Sequence, residues 1–79
     1  MTTNNLELRQ HLAAELSAAI ERTGLSRTEV ARRAGMQEAT LARKLAGESR
    51  LYMHELEALA TVGVDVGEVV DGALRSAGR

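Results

Sequence analysis

Apolar residues repeat at helical intervals along most of this chain. The first segment carries a stripe of them, spaced one to four residues apart: Leu8, Leu12, Ala13, Leu16, Ala19 and Ile20. Such spacing places side chains on one face of a helix. It predicts an amphipathic helix from Asn4 or Asn5 to Thr23. Gly24 ends this helix, because a left-handed glycine satisfies the last carbonyls and lets Leu25 fold back against the stripe.

Two much shorter helices are predicted next. Ser26 and Glu29 form an S-x-x-E capping box, in which each side chain bonds the backbone N–H of the other residue, so the second helix begins at about Arg27. Gly35 ends it after two turns, and a third helix follows over residues 37–46. The residues expected to be buried in this pair of helices and their turn are Val30, Ala31, Ala34, Met36, Leu41 and Leu45.

Two further helices complete the chain. After a loop over residues 47–50, a fourth helix ends at Gly63, and a D-x-x-E pattern at Asp65 and Glu68 caps a short fifth helix. Gly72 and the polar tail favour fraying at its end. The apolar positions of these two helices are Met53, Leu56, Leu59, Ala60, Val66, Val69 and Val70. The pattern predicts an all-α class, a compact five-helix bundle with a central helix-turn-helix, as a single domain over residues 1–79.

Composition supports the all-α class and indicates the cellular compartment of the protein. With 79 residues there is room for one domain, and the chain has no cysteine, no proline and a single aromatic residue, Tyr52. A core built from Leu, Ala and Val without aromatic residues favours helices over sheets. No apolar run approaches the roughly 20 residues of a membrane span, and no secretory signal is present. We therefore expect a cytoplasmic protein.

The net charge of −1 hides a strong asymmetry along the chain. Residues 22–50 carry seven cations and three carboxylates, whereas residues 51–74 carry five carboxylates and no cation. A protein that binds nucleic acid needs positive potential where phosphates approach, and here it lies on the two short helices and the loop after them. The chain shows no activated nucleophile, metal site or phosphate-cradling loop, so an enzyme, a cofactor and a metal are not expected.

The residues of the two short helices resemble those of the Cro/cI-type (XRE) helix-turn-helix repressors. The likeness rests on small Ala31 in the second helix, Gly35 in the turn, apolar Met36 after it and Leu41 in the third helix. The later segment 63–66, Gly-Val-Asp-Val, resembles the connection between the last two helices of many members. The resemblance implies a lambda-repressor-like fold.

Two residues depart from the pattern of this family. Gln37 stands where a Ser or Thr often caps the third helix. Lys44 occupies a position that is frequently apolar, which leaves Leu45 to make the second core contact.

The resemblance also implies a mode of DNA binding. The third helix would lie in the major groove, while the start of the second helix and the loop after the third would meet phosphates. Gln37 suits adenine, Arg43 suits guanine or a phosphate, and Glu38 accepts from cytosine but repels phosphate. The expected base contacts are Gln37, Glu38, Ala39, Ala42 and Arg43. The expected phosphate contacts are Arg27, Thr28, Lys44, Arg50 and Tyr52.

Several alternatives remain open from the sequence. Arg32 or Arg33 either contacts DNA or pairs with Glu29 or Glu21 on the surface. A homodimer would supply the second half-site, and its expected surface is Val64, Val66, Val69 and Val70, although these valines could equally cover this domain's own core. The other functional hypothesis is a protein-interaction module, such as the antitoxin of a toxin-antitoxin pair, in which the acidic C-terminal region binds a partner.

Overall fold

The computed structural model describes residues 5–78, which form five α-helices without strands. The all-α class and the five predicted helices are confirmed. Asn4, one of the two expected starts of the first helix, lies outside the described residues, as do the other residues of 1–4 and residue 79. The helices are α1 (Asn5–Arg22), α2 (Arg27–Ala34), α3 (Glu38–Leu45), α4 (Met53–Val62) and α5 (Val66–Ala77).

The predicted caps explain where the helices begin and end. Ser26 Oγ accepts from the Glu29 N–H at 3.1 Å, and Asp65 Oδ1 accepts from the Glu68 N–H at 3.1 Å. At the other end of α2, Gly35 has φ +74°, a left-handed conformation that residues with a Cβ rarely adopt. The second half of the predicted capping box does not form, because the Glu29 carboxylate accepts from arginines of its own helix instead.

The core lies where all five helices meet. Helix α1 packs along α5, α2 packs against α3 and α4, and α3 also contacts α1. None of the described helices combines the length and the apolar character needed to cross a membrane. The buried apolar cluster consists of Leu16, Ala19, Ile20, Val30, Ala31, Leu41, Leu45, Leu59, Val64 and Val69.

Two features of the last helices differ from what the apolar pattern and the glycine suggest. Met53 and Ala60 are exposed, because the side of α4 that faces the core is the one carrying Leu56 and Leu59. Helix α5 does not fray at Gly72 but continues to Ala77. Gly72 is buried, and a Cβ there would lie 2.7 Å from a carboxylate oxygen at the flexible end of the Glu15 side chain on α1.

Candidate nucleic-acid interface

The turn between α2 and α3 holds the two helices at a fixed angle. The Gly35 N–H donates to the Arg32 carbonyl at 3.2 Å, and the Met36 N–H donates to the Ala31 carbonyl at 2.9 Å. This pair of bonds is a Schellman motif, which needs a left-handed residue at the glycine position. Ala31 is itself buried, and Met36 packs against the core. The start of α3 therefore has a defined direction relative to α2.

Helix α3 presents one continuous exposed face. Leu41, Lys44 and Leu45 are its buried residues and lie on its inner side. Gln37, which precedes the helix as its N-cap, makes no side-chain cap bond, so its amide is free to bond a ligand. All five residues expected to contact bases are exposed: Gln37, Glu38, Ala39, Ala42 and Arg43.

Glu38 is connected to the start of α2. The Thr28 hydroxyl donates to Glu38 Oε1 at 2.9 Å, across ten positions of sequence. A carboxylate has two oxygens, so Oε2 remains open to a donor such as the amino group of a cytosine. While this bond persists, the Thr28 hydroxyl proton is not available to a phosphate. Any phosphate contact of Thr28 in this arrangement is made by its backbone N–H.

The start of α2 has the features of a phosphate-binding helix end. The first N–H groups of a helix have no intrahelical acceptor and carry the positive end of its dipole. Here Ser26 accepts the N–H groups of Glu29 and Val30, through Oγ and its carbonyl respectively. The N–H groups of Arg27 and Thr28 come before these along the helix, and both residues are exposed. An anion can therefore approach two N–H donors and a guanidinium together.

Arg32 and Arg33 both pair with Glu29. Arg32 donates to both carboxylate oxygens, and Arg33 Nε lies 2.6 Å from Oε2. These bonds, that from Arg32 foremost, lower the pKa of Glu29 to about 2, so the carboxylate is charged at neutral pH. The surface pairing considered from the sequence is confirmed, and it involves both arginines. Neither guanidinium is a free cation.

Three other arginines of the basic segment have no ion-pair partner within residues 5–78. Arg22 pairs with Glu68 at 3.8 Å, which removes a further cation from the surplus. Arg27, Arg43 and Arg50 are exposed and remain outside the ion pairs of these residues. These three lie at the start of α2, on α3 and in the loop after α3. The pairing thus leaves free cations at the positions expected from the sequence to contact DNA.

Lys44 does not occupy the phosphate-contacting position expected of it. The residue is only 4% exposed, and its ammonium bonds Ser49, the Arg50 carbonyl and Glu55. Its position on α3, between Leu41 and Leu45, directs it inward. Tyr52 is 53% exposed, and its ring lies 5.3 Å from the Lys44 ammonium. The expected phosphate contact at Lys44 is therefore wrong, whereas Tyr52 and Arg50 remain accessible.

Two residues near this surface had no role in the sequence analysis. Glu55 is the ion-pair partner of Lys44 at 3.0 Å, and its Oε1 also accepts the Tyr52 N–H at 2.8 Å. His54 stacks on Tyr52 with ring centroids 5.9 Å apart. His54 and Gln37 line the same shallow groove of about 280 Å³. The sequence feature that could have pointed to Glu55 is Lys44, a lysine at a position that is frequently apolar. A buried lysine needs an acidic partner.

The valines chosen as a dimer surface do not form one patch. Val64 and Val69 are buried in the core, so they are unavailable to a second chain. Val66 and Val70 are partly exposed, and Leu74, one turn further along α5, is 56% exposed. The alternative that these residues cover the domain's own core is correct for two of the four.

One comparison with known proteins finds a match. A family model described as a helix-turn-helix domain matches residues 11–71, which is more than half of the chain. This range includes α2, α3 and α4 completely. No curated protein and no solved structure matches the chain.

Proposed function

The chain belongs to the helix-turn-helix domain family, and we propose that it is a transcriptional regulator, a repressor of the Cro/cI type, which binds a two-fold operator. Members of this family are DNA-binding regulators and are generally not enzymes. In the proposed complex α3 lies in the major groove of double-stranded DNA, and the start of α2 lies against the phosphate backbone.

The observation that carries the proposal is the selective pairing of the arginines. Arg32 and Arg33 share the single carboxylate of Glu29, and Arg22 pairs with Glu68. By contrast, Arg27, Arg43 and Arg50 are exposed without an ion pair among the described residues. DNA binding is driven by cations that replace counterions on phosphates, and a cation already paired on the protein surface contributes less to this exchange.

Base recognition is proposed for the exposed face of α3. Arg43 has the geometry to donate to guanine O6 and N7, and Gln37 to adenine N6 and N7. Glu38 offers its free oxygen to cytosine and repels a misplaced phosphate, so it acts as a filter against wrong sites. The small side chains of Ala39 and Ala42 allow the helix to approach the bases closely or to contact a thymine methyl.

Phosphate contacts are proposed on either side of α3. The first group is Arg27 with the N–H groups at the start of α2, where the helix dipole adds to the positive charge. The second group is Arg50 and Tyr52 in the loop after α3, both of which are exposed. Such contacts set the position of a protein on the duplex, whereas the base contacts supply specificity.

Arg43→Ala should weaken binding to a selected duplex by about 1–3 kcal/mol and relax the preference at one base pair. The duplex is obtained by selection from a random pool with the wild-type domain. Fluorescence anisotropy at several salt concentrations gives the affinity and its salt dependence. The matched control is Arg33→Ala, which removes an exposed arginine already paired with Glu29.

Two results would contradict the DNA-binding proposal. The first is the absence of measurable binding by the wild type at low salt. The second is an equal loss of affinity in the Arg43 and Arg33 variants, because an unpaired arginine would then matter no more than a paired one.

A homodimer through the outer face of α5 completes the proposed operator complex. Val66, Val70 and Leu74 follow one another at intervals of four, so they lie on one side of the helix and retain exposed apolar surface. One domain of this kind reads only a half-site, and two half-sites lie about 34 Å apart on the duplex. This dimer surface differs from the one expected from the sequence, because it contains Leu74 and excludes the buried Val64 and Val69.

Sedimentation with and without duplex should show two chains on a two-fold operator and one chain on a duplex that carries a single half-site. The half-site duplex is the control for nonspecific loading. A complex of one chain with the two-fold duplex would contradict the dimer, while leaving DNA binding itself intact.

The protein-interaction alternative, such as an antitoxin, would be favoured by one continuous acidic patch over residues 51–74. Three of the five acidic residues of this segment are instead paired in separate contacts. Glu55 pairs with Lys44, Glu68 with Arg22, and Asp71 with Arg75. Paired carboxylates attract a basic partner less strongly than free ones. The arrangement therefore favours the DNA-binding proposal.

A further inference from the structure

Lys44 has a fully bonded ammonium group inside the protein. It is the only lysine of the chain and lies on the inner side of α3, 4% exposed. Its Nζ is 2.6 Å from the Arg50 carbonyl, 3.0 Å from Glu55 Oε1 and 3.3 Å from Ser49 Oγ. An ammonium has three protons to donate, and each has an acceptor here.

The three acceptors belong to the segment that connects α3 to α4. Ser49 and Arg50 lie in the loop over residues 46–52, and Glu55 lies in the first turn of α4. Glu55 Oε1 also accepts the Tyr52 N–H at 2.8 Å, so one carboxylate oxygen connects Lys44 to the end of the loop. The first half of the loop is held by bonds from the Gly47 and Glu48 N–H groups back to α3. Lys44 therefore anchors the second half.

This anchoring acts on the backbone of a residue whose side chain is free. The Arg50 carbonyl is bonded to Lys44, while the Arg50 guanidinium is exposed and makes no ion pair with residues 5–78. A contact made from an anchored backbone loses less conformational entropy on binding than one made from a mobile loop. An apolar residue at this position would fill the space beside Leu41 and Leu45 without holding the loop.

We propose that Lys44 is a positioning residue, which presents Arg50 to a DNA phosphate without touching DNA itself. This inference rests on the proposed DNA-binding function. It assigns to a buried lysine the task of ordering one phosphate contact. Its consequence is that the contribution of Arg50 to DNA binding exists only while the Lys44 contacts exist.

A double-mutant cycle in DNA binding tests this dependence. The variant that combines Lys44→Met with Glu55→Gln, called the released variant, lacks the contacts that hold the second half of the loop. The two substitutions remove both buried charges and leave no unpaired carboxylate. In the wild type, Arg50→Ala should lower affinity roughly tenfold and reduce the magnitude of the salt slope by about one. In the released background, affinity should already be lower by a similar factor, and Arg50→Ala should change it by less than about twofold.

Arg27→Ala is the matched control, because Arg27 is an exposed arginine on α2, away from the loop. Its effect should be the same in both backgrounds, since the Lys44 contacts do not hold α2. Thermal melts by circular dichroism establish that each variant is folded at the temperature of the binding assay. A general loss of structure would weaken both arginine contacts, whereas a positioning role changes only that of Arg50.

Amide relaxation and hydrogen exchange of residues 48–51 give a readout that needs no DNA. These amides should become more mobile in the released variant, while those of α2 stay unchanged. If the wild type binds DNA and Arg50→Ala has its full effect in the released background, the positioning role of Lys44 is overturned. If the wild type binds no DNA, the proposed function fails together with the phosphate contact, and the mobility data still decide whether Lys44 orders the loop.

Discussion

Lys44→Met alone should reduce the free energy of unfolding by about 3 kcal/mol, a large part of the stability of so small a domain. The substitution keeps a long unbranched side chain but removes the ammonium. Glu55, whose side chain is 13% exposed, then loses its ion-pair partner, and the Arg50 carbonyl loses its donor. Urea unfolding followed by circular dichroism measures the change.

The double variant Lys44→Met with Glu55→Gln should recover most of this loss. The side-chain amide oxygen that Glu55→Gln introduces can still accept the Tyr52 N–H, but no charge is left unpaired. Arg43→Met, one position earlier on the exposed side of α3, is the control and should change stability by no more than about 0.5 kcal/mol. Equal stabilities for the Lys44→Met and Arg43→Met variants would show that the buried ion pair is not needed for the fold.

The ends of the helices could be predicted from the sequence because their causes are local. Ser26 and Asp65 each cap a helix by bonding an N–H three residues away, and Gly35 ends α2 through its own backbone conformation. Such interactions depend on a few neighbouring residues, whichever way the rest of the chain packs.

The errors concern residues whose surroundings are decided by distant parts of the chain. Gly72 is read locally as a helix breaker, yet it lies within α5, which packs along α1. Met53 fits the helical period of α4 but lies at the end of the helix, away from the core. Lys44 carries a charge into the interior because Glu55 is there to pair with it. Sequence offers several acidic residues after Lys44 and no local rule for choosing among them.

In the candidate site, too, features with local causes could be predicted from the sequence, whereas features that depend on distant residues could not. The exposed face of α3 could be predicted, because helical periodicity assigns Leu41 and Leu45 to the inside and Ala42 and Arg43 to the outside. Which arginines are free could be predicted only in part. The pairing of Arg32 and Arg33 with Glu29 follows from spacings of three and four on one helix, whereas Arg22 with Glu68 joins distant segments.

Helix α3, the recognition helix of the proposed DNA complex, depends on the rest of the protein for its order. Helix α3 has eight residues, fewer than the roughly 12–15 that an isolated helix needs to be stable in water. Its N-cap Gln37 contributes no side-chain bond. Packing must therefore stabilise it, and Leu41, fully buried in the centre of the core cluster, is the residue best placed to do so.

Leu41→Ala should destabilise the domain by about 2–5 kcal/mol, because it removes buried methyl groups and leaves a cavity beneath the recognition helix. Urea unfolding gives the loss, and binding to the selected duplex should fall with the fraction of folded protein. Met53→Ala is the matched control, since it shortens an apolar side chain that is 71% exposed and should cost no more than about 0.5 kcal/mol. If both variants unfold at the same urea concentration, Leu41 does not anchor α3, and the order of the recognition helix must have another source.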